Sequence, residues 1–386
     1  MTFKRLTIVV LVFFFFLSVN FHAHAQEEDA ILKESGLKSK LIDLIIDNPG
    51  TINKVIIDMI KEDSPLRKIV DNVEIRLKAF DSDTEEDNGS LGFSYTYSKD
   101  IARYNFSQQK NARHTSLALN FSSEGNVAFD REINPEDFMD TDLSLLLFHS
   151  TGGVDSASAD VSDLLNELED IAVEQPTRED LLKNKAVQEA VRINRSHLST
   201  QIYTELSVDA GMESNQSFTK KQYYYGLHAG LDVKAWNPDS TLAKYNILDY
   251  PFALTRYLLG NDPKWMPRGS VLPTLLVGID QVNPQDNDPR ELAGDDTDFA
   301  RIRMEASYRT LVGHMNGHST FFEMNFRYYQ ELDPVDTIKD ATLDQYTSLS
   351  AALLLPRGMY ISYATGRLPL DAEEDRVYEL GFRYSF

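Results

Sequence analysis

Val377-Tyr378-Glu379-Leu380-Gly381-Phe382-Arg383-Tyr384-Ser385-Phe386 are the last ten of 386 residues, and their reading decides the fold. Every second residue from Tyr378 is large and apolar: Tyr378, Leu380, Phe382, Tyr384 and Phe386. Glu379, Gly381, Arg383 and Ser385 stand between them. Side chains alternate across an extended backbone, so this pattern gives a strand with one greasy and one wet face.

The same alternation recurs upstream. Within Ser319–Leu332, Phe322, Met324, Phe326 and Tyr328 oppose Glu323, Asn325, Arg327 and Tyr329. Within Ala300–Val312, Ile302, Met304, Ala306 and Tyr308 oppose Arg301, Arg303, Glu305 and Arg309. Within Gln222–Ala235, Tyr223, Tyr225, Leu227, Leu231 and Val233 oppose Tyr224, His228, Asp232 and Lys234. Leu198–Ala210 sets Ile202, Leu206 and Val208 against Gln201, Tyr203, Glu205 and Asp209. Segments of this length, with aromatics near their ends, match strands that cross a bilayer at a tilt. A wall built this way hides its apolar half by alternation, and the mean hydropathy is only −0.35.

Strands are expected at about 89–98, 114–123, 126–132, 142–149, 197–210, 219–235, 269–281, 299–312, 318–332, 344–355, 358–367 and 376–386. That is an antiparallel up-and-down barrel of about twelve strands, an even number. The short segments 126–132 and 142–149, and an additional strand at Val73–Phe80, leave ten or fourteen open. Tight turns are expected at Glu124-Gly125, Met315-Asn316-Gly317 and Pro356-Arg357-Gly358. They fall on one side, and the acidic stretches 282–298, 333–343 and 368–375 on the other.

The N-terminus reads as an address. Lys4 and Arg5 precede the apolar run Leu6–Leu17, and Ala23-His24-Ala25 supplies small residues where a secretory signal peptide is cut. Residues 1–25 are therefore expected to be a signal peptide, since about twelve apolar residues are too few to span a bilayer as a helix. The chain has no cysteine, which excludes a disulfide scaffold, a thiolate metal site, a cysteine nucleophile and lipoprotein acylation. The formal charge of −22 argues against nucleic acid as a partner, because such proteins neutralise phosphates with a basic face.

The C-terminal residues resemble the assembly signal of bacterial outer-membrane β-barrels. That signal reads polar, any, glycine, any, any, aromatic, any, aromatic, and Glu379, Gly381, Tyr384 and Phe386 fill its four defined places. The resemblance covers those eight positions. It implies a cell outer-membrane location in a Gram-negative bacterium, with the barrel assembly machinery, outer-membrane lipids and lipopolysaccharide as partners.

Three regions do not alternate. Residues 26–88 are expected as a periplasmic segment, helical over 27–72 where Leu37, Leu41, Leu44 and Ile45 and then Ile52, Val55, Ile56 and Met59 recur at helical spacing. The barrel, 89–386, carries helical inserts at about 155–194 and 240–268. A plug, a surface for a periplasmic protein at 27–72 or 155–194, and helices packed on the barrel rim all fit these segments.

The alternation also yields a lumen-facing set: Glu205, Asp209, Asp232, Lys234, Arg301, Arg303, Glu305, Arg309, Glu323, Arg327, Glu379 and Arg383. Charges can line a barrel only where they meet water or each other. One reading is an electrostatic constriction that selects small hydrophilic solutes, as in a porin. The other is a self-neutralising network that fills a narrow, non-conducting barrel. No enzyme is expected: neither G-x-S-x-G nor H-E-x-x-H occurs. Gly317-His318-Ser319 only superficially resembles the His-x-Ser of outer-membrane phospholipases, and His228 reads as a satisfied interior histidine. No cofactor or metal site is expected. Asp81–Gly89 has Glu86 where a calcium loop needs glycine. Asp286–Asp288 and Asp295–Asp298 read as solvated acidic loops, with cations bridging to lipopolysaccharide as the alternative.

Overall fold

In the computed structural model, each alternating segment is extended and hydrogen-bonded to its sequence neighbours. The structure describes residues 73–82, 90–106, 113–129, 137–152, 200–237, 239–264, 270–315, 318–371 and 374–385. Contacts divide the chain into Met1–Ile69 and Val70–Phe386, and every described residue belongs to the second unit.

The strands are β1 Val73–Ser82, β2 Ser90–Asn105, β3 Arg113–Ala128, β4 Met139–Thr151, β5 Gln201–Ser214 and β6 Lys221–Ala235. Then follow β7, in two pieces at Ser270–Val271 and Thr274–Asp286 that both pair with β6, and β8 Phe299–Met315. β9 His318–Glu331, β10 Gln345–Leu354, β11 Met359–Gly366 and β12 Asp375–Ser385 complete the set. All pairings are antiparallel, and β1 pairs with β12 from Glu74 opposite Ser385 to Ser82 opposite Val377. The sheet therefore closes on itself as a barrel of twelve strands among the described residues.

The count of twelve matches expectation through two compensating differences. The alternation at Val73–Phe80 is a full barrel strand, so the wall begins at Val73 and not at 89. The turn expected at Glu124-Gly125 does not exist: both residues lie inside β3, Gly125 between Tyr95 and Met139, and the expected strands 114–123 and 126–132 are one. Glycine is used there for closeness, since a Cβ would come within 3.2 Å of the Tyr95 ring.

Strand direction sorts the connections. The start of β1 and the end of β12 share one end of the barrel. The ends of β4 and β5, β6 and β7, β8 and β9, and β10 and β11 that follow one another in the chain meet at that end, and those of β5 and β6, β7 and β8, β9 and β10, and β11 and β12 at the opposite one. Local chemistry closes several of them. Asn215 Oδ1 accepts from the Thr219 and Lys220 amides at 2.9 and 3.0 Å. Gly358 takes φ +84° where β10 turns into β11.

Two short helices, α1 Thr241–Lys244 and α2 Tyr250–Leu258, occupy the 236–269 connection, and α3 Asp288–Ala293 and α4 Asp336–Asp340 the opposite end. α2 is not a plug. Its Phe252 ring stacks 4.9 Å from Phe322 and lies 6.5 Å from Tyr308, both outward-facing positions of β8 and β9. The helical segments expected at 27–72 and 155–194 lie outside the described residues.

Outward positions are apolar and exposed: Leu206 and Val208, Tyr225 and Leu227, Val277 and Ile279, and Met304. A continuous apolar band of this kind around a closed wall is a lipid-facing surface.

Candidate functional site: the lumen

Along their strands the residues of the lumen-facing set alternate with exposed apolar ones such as Leu206, Val208, Leu231 and Met304, and the strand register determines which of them meet. At the end opposite the chain termini lies a dry cluster. Arg301 on β8 donates to both oxygens of Glu213 on β5, at 2.6 and 2.9 Å, and through Nε to Asp280 on β7 at 2.9 Å. Its guanidinium stacks 4.6 Å from the Tyr329 ring. Glu213 and Asp280 side chains are wholly buried and Arg301 nearly so. Charges at such depth are tolerated because each carboxylate has a cation and further hydrogen bonds, including Gln222 Nε2 to Glu213 at 2.5 Å.

His228 on β6 sits beside this cluster, with Nε2 2.7 Å from Asp280 Oδ1 and Nδ1 in contact with Asp209 Oδ2. Asp209 also accepts from Ser207 Oγ at 3.0 Å. The ring needs space, and Gly278 provides it: a Cβ at 278 would fall on the imidazole.

The middle layer bridges the lumen. Arg303 donates through Nε to Glu305 at 2.7 Å and reaches Asp140 on β4 at 3.3 Å, and the Tyr224 hydroxyl donates to that same carboxylate at 2.9 Å. Arg327 on β9 binds Glu124 on β3. Lys78 on β1 binds Glu379 on β12 and donates to Asn126 on β3 at 2.9 Å, while Ser362 donates to Glu379 at 2.6 Å.

Toward the chain termini the charges are wetter. Arg383 and Arg76 donate to Glu74 at 2.7 and 2.9 Å. Arg309 lies 3.0 Å from Glu323, which Arg383 also approaches to 3.5 Å and Arg76 to 3.6 Å. The three arginine side chains, Arg76, Arg309 and Arg383, keep 29%, 31% and 27% exposure. Asp232 and Lys234 pair at 3.4 Å at this end, with Lys234 Nζ 4.8 Å from the Tyr203 ring centre. Glu205 is inward, opposite Gly230, and is brought into none of these ion pairs.

Arg301, Arg303 and Arg309 thus share one strand but divide among three layers of different wetness. Sequence reasoning missed Glu74, Arg76 and Lys78, because β1 was not counted, and Glu124, because it was read as a turn. It also missed Glu213, Asp280 and Asp140, although Asp280 continues the alternation of Leu275, Val277 and Ile279.

Among the residues that resemble an assembly signal, Glu379 belongs to the lumen network, and Gly381 makes room for Tyr360: a Cβ there would come 2.8 Å from the tyrosine ring. Phe386 lies outside the described residues. Near Gly317-His318-Ser319, the Ser319 hydroxyl is 3.0 Å from His314 Nδ1. The acidic loop residues are tied internally: Asp286 to Lys221 at 2.6 Å, Asp295 to Arg290 at 3.1 Å, and Asp298 to Asn283. Among the described residues, no group of three or more histidine and acidic side chains could hold a metal ion.

No protein-family model matches the chain, and no curated protein matches it. Among solved structures it is similar to the KdgM porin, at 7% identity over 81% of this chain and 99% of that one, with a TM-score of 0.27. It is similar to the beta domain of the Bordetella autotransporter Brka, at 9% identity over 82% and 99%, with a TM-score of 0.27. It is also similar to the outer membrane channel DcaP of Acinetobacter baumannii, at 8% identity over 81% and 96%, with a TM-score of 0.28. The barrel class of this chain rests on its own strand pairing.

Proposed function

We propose that the chain is a porin-like outer-membrane barrel of restricted conductance, passing small hydrophilic solutes through a constriction made of its own ion pairs. The observation that carries this reading is the gradient of wetness along the lumen. Arg76, Arg309 and Arg383, each a little under a third exposed, form with Glu74 and Glu323 a charged vestibule at the terminus end. Beyond it Arg327–Glu124 and Arg303–Asp140 cross the path. A solute entering the vestibule meets fixed charges of both signs in a narrow, low-dielectric passage, the arrangement that discriminates by charge and size. The signal-peptide pattern at residues 1–25 and the assembly motif at 379–386 support the outer membrane as the location.

Planar-bilayer recording tests this. The full-length protein is expected to give small, discrete conductances that increase in Arg327→Ala. An absence of current in both proteins defeats the channel reading. The second reading is a non-conducting structural barrel, with a periplasmic protein engaged through 27–72 or 155–194. The complete burial of Glu213 and Asp280 beside Arg301 favours it, since that layer leaves no water path between these three groups.

A further inference from the structure

The helix α2 turns a four-residue stripe to the barrel wall: Asp249, at its N-cap, then Phe252, Ala253 and Arg256. The stripe follows helical spacing and is pinned by polar contacts. Arg256, with no exposed surface, pairs with Asp249 at 2.6 Å, donates through Nε to the Pro263 carbonyl at 2.9 Å, and reaches the Leu311 carbonyl of β8. Asp249 in turn accepts from the Thr310 hydroxyl at 2.6 Å. Gly313 permits the close approach, since a Cβ there would come 2.7 Å from Leu259.

The opposite stripe is exposed among the described residues. Tyr250, Leu254, Tyr257 and Leu258 are 53%, 59%, 67% and 74% exposed. Between residues 245 and 260 the only charges are Asp249 and Arg256, which neutralise each other against the wall. Charges return just outside, at Lys244 before the helix and at Asp262 and Lys264 after it. Such a face in water would be an uncompensated apolar patch. It is continuous with the lipid-facing band: Met304 on β8 is exposed one turn of the alternation from Ala306 and covered Tyr308, and its partner Val277 on β7 is exposed as well.

We infer that α2 is a membrane-embedded belt helix, clamped to the outer wall and solvated by acyl chains of the leaflet at the terminus end. Its tyrosines lie where amphipathic rings accumulate at a lipid–water boundary. Its role is to widen and anchor the barrel's lipid contact beside β8 and β9. This inference rests on the barrel being in a bilayer.

Because the chain has no cysteine, single cysteines report position cleanly. Spin labels at Leu254→Cys, Leu258→Cys, Ile279→Cys and Lys264→Cys are compared in the full-length protein in phosphatidylethanolamine–phosphatidylglycerol vesicles. Collision with oxygen, which concentrates in lipid, is read against collision with a water-soluble nickel chelate. Labels at 254 and 258 are expected to favour oxygen, as at wall position 279, and the label at 264 to favour nickel. Nickel preference at 254 and 258 with oxygen preference at 279 overturns the belt helix and leaves the barrel in the membrane. Shielding of 254 and 258 from both reagents also overturns it, in favour of a second copy covering the face. Nickel preference at 279 overturns the membrane barrel itself, and the helix inference with it.

Discussion

Arg327 on β9 and Glu124 on β3 meet across the full width of the barrel, from strands six places apart in a ring of twelve. A contact between diametrically opposed strands means the lumen narrows there to the reach of two side chains. Replacing either residue by alanine removes the strut. Both side chains retain contact with water, at 25% and 38% exposure, so the pair contributes only about 1 kcal/mol to stability. Conductance is expected to rise while thermal unfolding in detergent shifts little. An unaltered current in Glu124→Ala contradicts a constricting role for the strut.

Arg301 behaves in the opposite way. Its removal leaves Glu213 and Asp280 buried without their shared cation, at a cost of about 3–5 kcal/mol. Arg301→Ala is expected to unfold at markedly lower denaturant in detergent micelles. Adding Glu213→Gln should restore part of the loss, because the two residues form one network. Equal stability of Arg301→Ala and the native chain would refute the pairing.

Gly278→Ala forces a methyl group onto the His228 ring. The imidazole has to leave its place between Asp209 and Asp280, and overpacking of this kind costs about 1–3 kcal/mol. The double variant Gly278→Ala with His228→Ala is expected to be more stable than the two single losses added together. Strict additivity in the four-protein cycle counts against the steric account.

Asp295 lies in the connection between β7 and β8, outside the spanning strands. The Thr297 hydroxyl donates to it at 2.6 Å and Arg290 approaches at 3.1 Å, and these hold its carboxyl below its ordinary value of 3.8. A carboxylate depressed on folding adds stability above its unfolded value, and the contribution disappears as the pH falls through the lower, folded one. The Thr297 amide resonance is expected to titrate with a midpoint below 3.8, and the transition to vanish in Asp295→Asn. A midpoint above 3.8 reverses the sign and the assignment.

The fold was legible because period-two alternation needs no partner to be read: Tyr378 to Phe386 announces a strand whatever lies beside it. Two strands were misjudged for local reasons. β1 directly follows a stretch with helical spacing and reads from sequence only as an additional strand at Val73–Phe80, so Glu74, Arg76 and Lys78 stay out of the lumen-facing set. Glu124-Gly125 has turn chemistry, yet glycine there admits Tyr95 and Met139 at close quarters. The lumen was half legible. Alternation says which side of the wall Arg327 faces, but only closure brings it to Glu124, 203 residues away. The belt helix is legible only as a helical insert at about 240–268, because its spacing in sequence does not say whether the stripe of Phe252 and Arg256 or that of Leu254 and Leu258 meets protein, and so does not separate a plug from a lipid-bathed helix.

The seam between β1 and β12 joins Glu74 to Arg383, 309 positions apart. Until its last strand has been made, β1 has one edge without a partner, and the ten strands between can zip only to their neighbours. Closure is therefore a late event with a very long loop to be drawn shut, and the incomplete wall presents two open edges to any other chain. A barrel so arranged cannot finish piece by piece as it is delivered. Its circularisation waits on β12, which makes the final eleven residues of the wall a latch on the timing of folding as much as a part of the finished ring.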